Sequence, residues 1–157
     1  MKIEWQLFLE RLNAFGTEAH KILPPCAEDR LEAIQAQLGK MPTALVEMLR
    51  TFDGAQLFDN GGPLVSIFGI STIPPLPPLE WAPDWYIDKF TPVWRAKQKR
   101  NDWAIGITSY GVLFLMDQEG AISKWDTGQK GWESRNQLLG QWMEELMREG
   151  ESYLKGE

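Results

Sequence analysis

His20 and Cys26 are the only histidine and the only cysteine in the 157-residue chain. A histidine-based metal cluster therefore has no second member, and a single thiol adds little to one. Cysteine–histidine catalysis would have to bring Cys26 beside His20 across Pro24-Pro25, and the thiol would need a lowered pKa to attack. The commoner use of two such residues is a small hydrophobe beside a polar loop imidazole. There is no Gly-X-Ser-X-Gly elbow, and His20 alone could serve a serine as base. Gly61-Gly62 lacks the lysine and the following helix of a phosphate loop, and no glycine-rich turn joins a strand to a helix as a dinucleotide site requires. Carboxylates are left: Asp53, Asp59, Asp84, Asp88 and Asp102 are candidates for a general acid–base pair, which needs a cleft holding two of them a few ångströms apart. Acids in such places more often form turns and helix caps. The chain is therefore expected to be neither an enzyme nor a cofactor carrier, with a small hydrolase using paired carboxylates as the alternative.

Recognition is the chemistry that remains. Trp81, Asp84, Trp85, Tyr86 and Asp88 put aromatic rings beside acids in one loop region, the usual make-up of a protein-binding patch. Phe58 and Asp59 are expected near them, because the two segments flank the same strand region. The same aromatics could instead cap the core from a long loop. Eight Trp do not separate these readings, since Trp serves both cores and interfaces.

Charge bounds the partner. The formal net charge is -6, which argues against a general nucleic-acid binder. It suits a protein partner that is basic, and it also suits plain solubility. Arg95, Lys97, Lys99 and Arg100 form the only basic run, read as a solvated tip or as a local patch that orients an acidic part of a partner. One cysteine allows no intramolecular disulfide, which fits a reducing compartment. The start Met-Lys-Ile-Glu-Trp lacks the features of a secretory leader, and no run approaches the ~20 apolar residues of a membrane span. The expectation is a cytoplasmic protein, monomeric or weakly dimeric, with no membrane or nucleic-acid partner.

The elements that must position these residues are legible as periodicities. Met41 to Gly54 holds a short helix, with Leu45, Met48, Leu49 and Phe52 on one side, Pro42 at its start and Gly54 past its end. A helix this short needs another layer to cover that stripe. Ile3 to Phe15 and Glu28 to Leu38 read as further helices, with Trp5, Phe8, Leu12, Phe15 and with Leu31, Ile34, Leu38 as their apolar faces. Leu64 to Phe68 is a strand. Residues 70–83 carry five prolines and read as a surface loop, either a stiff connector or a polyproline docking segment. Asp84 to Phe90 reads as a short helix ended by Pro92. Trp103 to Thr108, Val112 to Met116 and Ala121 to Trp125 form an antiparallel meander, with Asp117 to Gly120 as a hairpin loop. Thr127 to Trp132 reads as loop, and Ser134 or Asn136 would cap a last helix whose apolar face runs from Leu138 to Met147. The fold class is α+β: a single domain over residues 1–157, with an antiparallel-dominated mixed sheet of about five strands. N-terminal helices and a C-terminal helix are expected to cover one face and leave the other partly open.

Leu38-Gly39, Pro42, Leu49, Phe52 and Asp53-Gly54 together resemble the opening of the SUKH superfamily, shared by yeast cell-wall-synthesis regulators and bacterial toxin-immunity proteins. Met41, Asp53 and Ala55 stand where that pattern has Leu, Asn and Gly, and Gln35 where it often has Glu. Asp117 and Gly120 at the hairpin and the closing amphipathic helix are similar too. The resemblance implies a non-enzymatic module that binds and neutralises a toxin, or one that scaffolds an endogenous protein.

Overall fold

The computed structural model describes residues 2–14, 17–70 and 86–156. Seven strands form one sheet in which each pairs antiparallel with the next in sequence. They are β1 (Lys21–Ile22), β2 (Ala55–Asp59), β3 (Pro63–Ile67), β4 (Trp103–Thr108), β5 (Val112–Met116), β6 (Ile122–Asp126) and β7 (Gly131–Gln137). Five helices accompany it: α1 (Lys2–Asn13), α2 (Glu28–Leu38), α3 (Thr43–Thr51), α4 (Ile87–Gln98) and α5 (Leu139–Lys155). One apolar cluster runs from Trp5 in α1 to Met147 in α5. The proline-rich segment, 71–83 of which falls outside the described residues, interrupts the chain between β3 and α4.

The short helix α3 is bounded as its sequence dictates. Pro42 is the N-cap residue and Phe52 the C-cap. Leu45, Met48, Leu49 and Phe52 are all buried. Their cover comes from α1 and α5. Trp5 meets Phe52 edge-on at 5.8 Å and Trp142 at 6.3 Å, and its indole N–H donates to the Ala44 carbonyl at 2.9 Å. Trp142 in turn stands edge-on to Phe114 of β5 at 5.2 Å. Aromatic pairs of this geometry add about 0.5–1.5 kcal/mol each beyond the area they bury.

Two expectations fail here. The helices do not confine themselves to one face. Phe114 and Leu113 are neighbours on β5 and so point to opposite faces. Phe114 meets α5, whereas Leu113 lies beside Trp94 of α4. Helix α4 is also longer than expected, because Pro92 sits inside it rather than at its end. A proline inside a helix removes one N–H bond and crowds the carbonyl four residues before it, but α4 is held to β4 from the side. Thr91 Oγ1 accepts from the Ala104 N–H at 3.0 Å, Arg95 Nε donates to the Asp102 carbonyl at 3.1 Å, and Trp94 Nε1 donates to Asp102 at 3.2 Å.

The sheet has two strands more than expected. β1 is only two residues long. β7 covers a stretch read as loop and helix cap. Its sequence, Gly-Trp-Glu-Ser-Arg-Asn-Gln, has no apolar alternation because it is the edge strand beyond β6, where little is buried. The buried central strands β4 and β5 show the continuous apolar pattern.

Candidate functional site

Of the residues singled out for recognition, the four that are described, Phe58, Asp59, Tyr86 and Asp88, do not form one patch. Trp81, Asp84 and Trp85 lie outside the described residues. Tyr86 is 2% exposed and Phe58 0%, so neither presents its ring to a partner. Phe58 lies against His20, whose Nδ1 accepts the Phe58 N–H at 3.1 Å. Asp59 is exposed and makes a turn, its Oδ1 accepting from the Gly62 N–H at 2.9 Å. Asp88 is half-buried and lines a groove with Asp29, Arg30 and Ile70. The two groups sit at opposite ends of the β2–β3 hairpin. Asp59 pairs with Pro63 at the tip, while α4 starts beyond Ile67, where the Ile87 N–H donates to the Gly69 carbonyl. Four strand steps of about 3.3 Å, roughly 13 Å in all, separate those ends.

Three of the candidates for acid–base work, Asp53, Asp59 and Asp102, have other employment, and Asp84 lies outside the described residues. Asp53 is buried, and its Oδ1 accepts from the Ile70 N–H at 2.8 Å. Burial raises its pKa, opposed by that hydrogen bond and by Arg30, and the charge of Asp88 raises it further. Asp53 is not among the residues that line the groove beside Asp88. Asp102 is held by Arg100 at 2.6 Å and by the Trp94 indole. Burial, with help from the charge of Asp53, pushes the Cys26 thiol up to about 12. That thiol is inert at neutral pH. Among the described residues no cluster of three or more His, Cys, Asp or Glu could hold a metal ion, and no helix is long and apolar enough to cross a membrane.

A different surface has the make-up of a binding site. It is a groove of about 520 Å³ where the starts of α1, α3 and α5 meet the β5–β6 hairpin. Glu4 of α1, Glu47 of α3 and Glu119 of the hairpin supply acids, and Leu138, Leu139, Ala44 and Ala121 supply apolar wall. Leu138 is 68% exposed.

Each part is placed by local chemistry. Asp117 Oδ1 accepts from the Glu119 and Ala121 N–H groups at 2.9 and 3.0 Å, which fixes the hairpin. Gly120 has φ 88, a conformation that glycine adopts without strain. A side chain there would also press on Ala44, since a β-carbon would sit 3.3 Å from the Ala44 Cβ. The Trp5 indole locks the start of α1 onto α3. α5 begins at Leu139, with Leu138 as an N-cap residue that makes no side-chain capping bond. Its first amides, which have no intrahelical acceptor, are therefore without a side-chain cap beside the groove.

The electrostatics are one-sided. None of Glu4, Glu47 and Glu119 has an ion-pair partner among the described residues. The Oε2 atom of Glu47 is screened from solvent and accepts no hydrogen bond. A buried acceptor left in that condition costs about 1–3 kcal/mol, more when charged. A lysine or arginine in the groove would meet three acids that have no ion pair, Leu138 and Leu139 would cover the aliphatic stem, and the α5 amides would be donors for a backbone carbonyl. The sequence carried no signal for this grouping, because the three glutamates are far apart in the chain. The one partial signal was Leu138, an apolar residue placed on the last helix's inner face that instead precedes the helix and faces out.

The basic run also resolves. Arg95 is internal: besides Asp102 it donates to the Leu38 carbonyl at 2.7 Å, capping α2, and it lies over the Trp103 ring at 4.6 Å. Arg100 is committed to Asp102. Only Lys97 and Lys99 are exposed.

No family model matches this chain, and no curated protein matches it significantly.

Proposed function

We propose that this chain is a non-enzymatic protein-binding module that takes a basic segment of its partner into the groove between Glu4, Glu47, Glu119 and Leu138. The observation that carries this reading is the convergence of Glu4, Glu47 and Glu119, none with an ion-pair partner, on a groove that no cation lines among the described residues. The net charge of -6 supports it, because a complementary field speeds encounter with a basic surface. The resemblance of Leu38 to Gly54 to immunity proteins gives the binding its biological form. The module is a cytoplasmic immunity protein that blocks a toxin by covering a basic part of it.

The first partner to test is a toxin encoded beside this chain's gene. Binding is measured by calorimetry at about 50 and about 300 mM salt, which changes screening strongly. Affinity for the wild-type protein is expected to fall steeply with salt. Glu47→Gln and Glu119→Lys together are expected to weaken it by about tenfold or more, as truncating a desolvated charge pair does. An interaction that these two substitutions leave unchanged would reject the groove as the site.

A further inference from the structure

On the sheet face covered by α4 there is a second groove, with opposite charge. Trp94 of α4, Trp125 of β6 and Trp132 of β7 meet edge to face, with ring centroids 5.4, 5.9 and 5.0 Å apart. Arg100 and Arg135 lie over the Trp132 ring at 5.1 and 4.9 Å. Beside this cluster Phe90, Val93, Trp94, Leu113 and Trp125 wall a groove of about 250 Å³, with Lys97 and Lys130 among its lining residues. Val93 is 59% exposed.

The charge at this groove is uniform. Among the described residues no carboxylate lines it. Lys97 and Lys130 are exposed and have no ion-pair partner among the described residues. The neighbouring acids are engaged. Asp102 holds Arg100 and the Trp94 indole, and Asp126 Oδ1 accepts from the Gly128 and Gln129 N–H groups. A local positive rim on a chain of net charge -6 is a feature of placement, not of composition.

We infer that this groove binds an acidic peptide segment with one apolar side chain, which would enter between Val93, Trp94 and Trp125 while its carboxylates meet Lys97 and Lys130. Trp and apolar walls with a charged rim are the pattern of an interface hot spot. Two free lysines suffice for a short acidic peptide. A nucleic acid strand depends on neutralising several phosphates and on open aromatic faces, and these rings are engaged with one another. The site is independent of the acid-lined groove, since it lies on the other face of the sheet and its partner has the opposite charge.

The probe is an acetylated, amidated pentapeptide with a central leucine flanked on each side by two glutamates. Binding is read from the indole N–H signals in two-dimensional NMR. The signals of Trp94, Trp125 and Trp132 are expected to move, and Lys97→Glu with Lys130→Glu to weaken binding by about tenfold or more. Both lysines are exposed, so the doubly substituted protein is expected to fold. Lys40→Glu, an exposed change at the α2–α3 junction, is expected to leave the affinity within about twofold, because its charge is not at the groove. Four results would overturn the inference: no shift at any accessible peptide concentration, equal binding of the same peptide with glutamines for glutamates, equal weakening by Lys40→Glu, or tighter binding of oligothymidylate. Concentration-dependent dimerisation lost in the Lys97→Glu, Lys130→Glu protein would also overturn it, by naming a second copy as the occupant.

Discussion

Two glycines of α5 invite the same substitution and should respond with opposite sign. In a helix interior glycine is about 1 kcal/mol less favourable than alanine, so propensity alone predicts that Gly140→Ala and Gly150→Ala both stabilise. Gly140 has nothing within 4 Å of where a β-carbon would stand. Its replacement should gain about 0.5 kcal/mol, the lower end of the range because it lies in the first turn. At Gly150 a β-carbon would overlap Cδ1, Cε1 and Cζ of Phe58, the broad side of a ring that cannot easily withdraw. Phe58 is fully buried, packs edge-on to His20 at 5.0 Å, and is held at φ 57 with its N–H on His20 Nδ1. Overpacking of this kind costs about 1–3 kcal/mol. Set against the propensity gain of about 1 kcal/mol, Gly150→Ala should lose up to about 2 kcal/mol. Urea unfolding with linear extrapolation measures both changes against wild type. A double-mutant cycle with Phe58→Leu should show the penalty shrinking, since the smaller side chain leaves room. If Gly150→Ala proves as stabilising as Gly140→Ala, Phe58 is not seated in α5, and its exclusion from the binding surface falls with that result.

Asp53 should tolerate loss of its charge but not of its acceptor. Asp53→Asn keeps the oxygen that receives the Ile70 N–H and removes a carboxylate whose pKa burial raises, so it should be at least as stable as wild type at neutral pH. Asp53→Ala, which strands that buried N–H, should lose about 1–3 kcal/mol by the same urea assay. The advantage of Asp53→Asn should shrink on acidification from the raised folded value towards 3.8, because the wild-type folded state takes up its proton first. His20 should give a slope of the other sign. Burial lowers its pKa, opposed by a hydrogen bond to the Leu12 backbone. The unfolded chain therefore binds the proton first, and the contribution of His20 to stability, full above 6.5, should fall as pH drops from 6.5 towards the folded value. Urea midpoints at about pH 7.5 and about pH 5.5 should differ by less in His20→Gln than in wild type. An unchanged difference would show that the imidazole is not the group responsible.

The parts of the fold that were legible in the chain are those whose signals are local. Pro42, the Leu45–Phe52 stripe and Gly54 each act within a turn or two of backbone, and α3 starts and stops beside them. The meander from Trp103 to Asp126 announced itself because strands buried on both faces tolerate little else than apolar residues. Where burial is slight that signal vanishes, and β7 at the sheet edge was mistaken for loop. Pro92 misled for a related reason. Its local preference ends helices, but three side-chain contacts from Thr91, Trp94 and Arg95 to residues 102–104 outweigh one missing hydrogen bond.

By itself the sequence determined the α+β class and most of the helices and central strands, since each of these depends on residue types present or on spacing along one element. Only the tertiary structure decided which charges are free. Arg95 and Arg100 looked like an exposed patch and are tied inward, whereas Glu4, Glu47 and Glu119 looked unrelated and share one groove. Electrostatic and apolar contacts act over a few ångströms of space regardless of distance along the chain. The surface that meets a partner was therefore settled when α1, α3, α5 and the β5–β6 hairpin packed together.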